Sequence, residues 1–119
     1  MAEGFGRLLL SKEWDVLSAG LEPGELHPMA VEAMKEVGVD ISGQRSKMVT
    51  PEVISGVDLV VTLCGDARDR CPVLPPGAAH VHWAVEDPAR AQGTEDQVML
   101  AFRKARDTIR RYFFEYFGV

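Results

Sequence analysis

Val57-Asp58-Leu59-Val60-Val61-Thr62-Leu63-Cys64 is an almost unbroken apolar run of strand length. A strand with one wet face alternates apolar and polar residues, whereas this run reads as a strand covered on both faces. Immediately upstream, Thr50-Pro51 opens a short helix that Gly56 ends, because proline suits the first helical position and glycine the residue after the last. Further upstream, Pro28 stands at another helix start. Ala30, Met34 and Val37 then repeat along one face, and Gly38 stops the helix. Trp14 to Ser18 is a short strand candidate closed by Ala19-Gly20, with a loop containing Pro23 and Gly24 after it. Met1, Phe5, Leu8 and Leu9 recur at helical spacing with no entry turn before them, so the chain is expected to start inside a helix.

Downstream of the run, a loop with Pro72, Pro75, Pro76 and Gly77 leads to a strand candidate from Ala79 to Val85, then a polar loop from Glu86 to Gly93. The last helix is the best signalled. Thr94 and Gln97 form a capping box, and Val98, Phe102, Ala105, Ile109, Phe113 and Tyr116 step along one stripe that should cover a sheet face. Phe113 and Tyr116 are expected in the core, with Phe114 and Phe117 exposed. Strands separated by helices require crossover connections, so the expectation is an α/β fold of three layers, α/β/α, around a small parallel sheet. Residues 1–119 are read as a single domain, since this length gives one core and is short for two.

Thirteen basic against eighteen acidic residues give a net charge of −5, which opposes recognition of a nucleic-acid backbone. Leu8 to Leu10 is far shorter than a signal-peptide core and no stretch approaches spanning length, so a cytoplasmic protein with no membrane partner is expected. Two cysteines in a reducing compartment call for redox chemistry, metal binding or plain packing.

Cys64 ends the apolar strand, where sites of open α/β sheets gather, and Cys71 follows seven positions later. If the intervening residues were helical, roughly 10 Å of axial rise would separate the two Cα atoms, beyond the ~7 Å reach of a disulfide. Pairing would then need local unwinding, which suits a redox switch better than a fixed staple. The alternative, that both are small buried hydrophobes, stays open on spacing alone. Cys64, Cys71, His80 and His82 fit no common zinc spacing, so no metal is expected; His80 and His82 should share one strand face as ordinary strand residues. His27, before Pro28, belongs to a helix entry. Arg45, Ser46 and Lys47 form a small basic spot read as solvated.

The run Val60-Val61-Thr62-Leu63-Cys64-Gly65-Asp66 with Cys71-Pro72, together with Met1-Ala2-Glu3-Gly4-Phe5, Ser18-Ala19-Gly20, Asp40-Ile41-Ser42-Gly43-Gln44-Arg45-Ser46-Lys47 and His82-Trp83 before Glu86-Asp87-Pro88, resembles the thioredoxin-coupled arsenate reductases. These are built on the low-molecular-weight tyrosine phosphatase fold. The resemblance implies successive thiol attacks: a loop cysteine attacks arsenate, Cys64 attacks that cysteine as arsenite leaves, and Cys71 attacks Cys64, leaving a disulfide for thioredoxin to reduce. Asp87 matches the family's acid; its other reading is a turn-forming Asp before Pro88. No bound cofactor is implied.

One departure is large. In the family, a first, central strand and a Cys-x5-Arg oxyanion loop precede the segment matching Met1 to Phe5, and this sequence has neither. The chain as written is therefore expected not to turn over. The gap would be filled by upstream sequence or by strand exchange in a homodimer, and the aromatic C-terminus is a second route to self-association. Cys64 to Arg70 is a literal Cys-x5-Arg, but Asp66 and Asp69 would place negative charge inside an anion cradle, so it is rejected as the loop. Two other readings remain: a tyrosine phosphatase relative, and a non-catalytic dithiol or oligomerisation module.

Overall fold

The computed structural model describes residues 1–20, 26–44, 47–63 and 76–119. Helix α1 spans Ala2–Leu9. It contains two glycines, which cost helix stability, yet both are where neighbouring segments approach closely. A Cβ on Gly4 would lie 2.6 Å from Ile41 Cγ2, and one on Gly6 would lie 2.9 Å from Val16 Cγ1. The bare backbone lets α1 sink between these segments and bury Phe5 completely.

Helix α2, Pro28–Lys35, starts as expected: Pro28 opens it and the His27 ring Nδ1 accepts a hydrogen bond from the Met29 amide at 3.1 Å. Its buried face is Ala30, Ala33 and Met34. Gly38, in the left-handed region at φ +81°, turns the chain so that the Val39 amide returns to the Met34 carbonyl at 3.0 Å. Helix α3, Pro51–Ile54, is capped by Thr50, whose hydroxyl accepts from the Val53 amide.

Strands β1, Leu59–Thr62, and β2, Ala79–His82, pair in parallel, with Leu59 opposite Ala79 and Thr62 opposite His82. Bonds from the Trp83 amide to Thr62 and from the Val85 amide to Leu63 extend the pairing past the strand ends. Helix α4, Glu95–Phe117, carries both halves of the Thr94–Gln97 capping box and ends on left-handed Gly118. The core gathers Phe5, Met34, Ile41, Trp83, Phe102, Ile109 and Phe113 from α1, α2, α4 and the segments beside them.

The α/β arrangement with a small parallel sheet stands, and three expectations about it need correction. Trp14 to Ser18 forms no strand and joins no sheet among the described residues. Polar side chains of α1 hold it instead: Arg7 Nη2 donates to the Val16 carbonyl at 3.0 Å, and Ser18 Oγ donates to Glu3 Oε1 at 2.8 Å. A single parallel bridge, Gly20 with Met48, follows. The β1 strand is also not covered on both faces: of its four residues only Thr62 is buried. At the end of α4, Phe113 is buried and Phe114 exposed as expected, but Tyr116 is 49% exposed while Phe117 is half-buried against Trp14 and Phe113. The buried line runs in steps of four, through Ile109, Phe113 and Phe117, and Tyr116 sits at its margin.

Candidate active site

Parallel strands deliver their C-terminal ends to one edge, and an open groove of about 940 Å³ lies there. It is lined by Leu63, His82, Ala84 and Val85 from the strand ends, by the Asp87 turn, and by α4 through Gln97, Leu100, Ala101, Lys104 and Thr108. Leu63 is the residue covalently preceding Cys64. Cys64 and Cys71 themselves lie outside the described residues, as do Arg45, Ser46, Arg68 and Arg70.

Asp87 faces this groove from a short 3-10 turn, Pro88–Arg90. Its Oδ1 accepts from the Ala89 amide at 3.0 Å, which is the turn-forming role, while Oδ2 lies 3.7 Å from Arg90 Nε. Half exposed, with only one oxygen committed to the turn, the carboxyl group can also meet a ligand from the groove. Both readings of Asp87 are thus compatible in one residue.

His82 lines the groove as well, and Thr62 holds it. The Thr62 Oγ1, on a residue only 5% exposed, lies 2.8 Å from His82 Nδ1 and 3.1 Å from His80 Nε2. The two histidines therefore share a face, as their spacing required. Among the described residues no group of three or more His, Cys, Asp or Glu side chains is placed to hold a metal ion.

Lys104 and Arg90, the groove's basic residues among those described, belong to no motif singled out in the sequence. A signal existed: Gln97, Leu100, Ala101, Lys104 and Thr108 recur by threes and fours, a second stripe on α4 beside the buried one.

The model of the low molecular weight phosphotyrosine protein phosphatases matches residues 1–117. The chain belongs to that family. Within it, the chain groups with arsenate reductases. It is 52% identical over 109 residues to the arsenate reductase of Bacillus subtilis strain 168, covering 92% of this chain and 78% of that protein. A solved arsenate reductase in the oxidised state superposes with a TM-score of 0.73 at 30% identity, covering 98% of this chain and 85% of the other. Another, in the phosphate-binding state, gives 0.68 at 35% identity, covering 93% and 80%. The thioredoxin-dependent arsenate reductase of Corynebacterium glutamicum gives 0.67 at 31% identity, covering 94% of this chain and 52% of its own. As an enzyme the chain is by family an arsenate reductase, and the low-molecular-weight phosphatase fold expected from its motifs is the fold it has. Among the described residues, no helix is long and apolar enough to cross a membrane.

Proposed function

We propose that this protein domain reduces arsenate to arsenite by a thiol cascade that thioredoxin recycles, with Cys64 and Cys71 as the redox pair and Asp87 as the acid. One observation carries the reading: Asp87 and Leu63, which the peptide bond joins to Cys64, line one groove at the C-terminal end of the parallel strands. The solved relatives support its partners, one having been captured binding phosphate and one being thioredoxin-dependent.

The cascade moves two electrons. A thiolate bonds to arsenic as an oxygen leaves as water; the Cys64 thiolate then forms a disulfide with that sulfur, and arsenic departs as arsenite with the electron pair. Cys71 attacks the Cys64 sulfur, freeing the first thiol, and thioredoxin reduces the resulting 64–71 disulfide. Three protein thiols take part, and this chain has two cysteines. The reading therefore assigns the chain as written the second half of the cascade, and turnover to a form that also carries the nucleophile loop.

Peptide mapping tests the pair. Mild oxidation should yield a Cys64–Cys71 disulfide that thioredoxin reduces, and Cys71→Ser should abolish it. An oxidised chain that contains only intermolecular disulfides would remove the redox role.

A further inference from the structure

Past the end of β2 the chain runs on toward the Asp87 turn, held from two sides. The Trp83 and Val85 amides donate to the Thr62 and Leu63 carbonyls, so these alternate residues turn their amides to β1. Ala84 stands between them, and alternation along an extended chain points its backbone groups the other way, to the edge of β2 that no described strand covers. Its carbonyl is met there from α4: the Tyr112 hydroxyl donates to it at 3.2 Å.

The neighbouring ring places Tyr112 for this contact. Trp83 is buried, and its ring stacks on that of Tyr112 with centroids 5.5 Å apart and planes 2° from parallel. The hydroxyl then reaches the next residue of the chain. Tyr112 also continues the stripe of α4 that lines the groove, four positions beyond Thr108, so its bond to Ala84, itself a lining residue, ties the strand side of the groove to the helix side.

The turn that follows has no such tie of its own. The Ala89 amide bonds to Asp87 Oδ1, the Arg90 amide to the Asp87 carbonyl and the Ala91 amide to the Pro88 carbonyl. Among the described residues, the hydrogen bonds of Glu86 to Ala91 thus stay inside the turn, which lies beside α4 without one to it. They shape the turn and leave its placement to the residues that lead into it. We infer that Tyr112 is a positioning residue for Asp87: by holding the Ala84 carbonyl against α4, it sets where the turn presents the Asp87 carboxyl in the groove. The inference deepens the reductase reading and rests on it for the role of Asp87 as the acid. A general acid works within hydrogen-bond reach of the atom it protonates, so a displaced turn costs rate while the acid itself is intact.

Tyr112→Phe tests this, because it removes the hydroxyl and keeps the stacked ring. Loss of one such bond shifts a local opening by about two- to tenfold. In this chain, hydrogen exchange of the Val85 amide should quicken by that factor while Val39, at the end of α2, exchanges as before. Residual dipolar couplings of the Ala89, Arg90 and Ala91 amides should change as the turn reorients. Arg103→Ala, which frees a solvated side chain elsewhere on α4, should move neither. Parent-like exchange and couplings in Tyr112→Phe would overturn the inference. In a turnover-competent form, Tyr112→Phe should lower kcat by the same factor with KM unchanged, and should add nothing to Asp87→Asn. An equal loss in both backgrounds would mean that Tyr112 acts apart from Asp87, which also overturns the positioning role. A silent Asp87→Asn removes the acid reading alone, and the exchange and couplings in this chain then decide whether Tyr112 places the turn.

Discussion

Asp87 shows how one side chain can answer two descriptions. An Asp before proline is a common turn residue, and Oδ1 does cap the turn; the second oxygen is what the proposed acid would use. Asn forms the same turn but cannot give up a proton, so Asp87→Asn in a turnover-competent form should keep the thermal stability and lower arsenate turnover by about 10²–10⁴-fold in steady-state assays. Gly4 is a different case. Nothing in its sequence context distinguishes it from a poor helix residue, because the reason for it is Ile41, far along the chain and fully buried. Gly4→Ala should destabilise the fold by ~1–3 kcal/mol despite its better helix propensity, whereas Gly43→Ala, with nothing within 4 Å, should be close to neutral; denaturant midpoints would compare them.

Elements whose signals are local were legible. The starts of α2, α3 and α4 are written in Pro28, Pro51, Thr94 and Gln97, and each capping contact forms within three residues. That Trp14 to Ser18 joins no sheet among the described residues was not legible, because a strand exists only through a neighbour about 4.8 Å away, which its own residues do not encode. The contact between α2 and α4 was equally hidden. Arg106 Nη1 donates to the Ala33 carbonyl at 2.9 Å and to Glu36 Oε1 at 2.8 Å, while Arg103 grips the same carboxylate at 2.7 Å. Arg106→Ala leaves a buried carbonyl without its donor and should cost about 1.5–3 kcal/mol, more than Arg103→Ala, whose side chain is solvated.

The hydrogen bond from Arg103, aided by Arg106, holds the Glu36 carboxyl at about 2, below its ordinary 4.5. A carboxyl depressed in the folded state stabilises fully above the unfolded value and loses that contribution as pH falls through the folded one. Glu36→Gln should therefore be less stable than the parent near neutral pH, and thermal melts should show the gap closing between pH 4.5 and 2.

At the scale of the molecule, the order of the helices and of the two paired strands, and their parallel pairing, followed from the apolar run and the helix signals around it. The motif set placed the family. The groove did not follow from either, since its walls come from strand ends near residue 63 and from α4 near residue 104, which meet only when the sheet packs under that helix. Cys64 and Cys71 are proposed as a pair from the motif, and both lie outside the described residues. The decisive measurement is thioredoxin-dependent arsenate reduction by this chain beside a form extended upstream to include a Cys-x5-Arg loop. The thiol cascade predicts turnover in the extended form, none in the chain as written, and loss of repeated turnover on Cys71→Ser. Turnover by the two-cysteine chain alone, or none by the extended form, would contradict it.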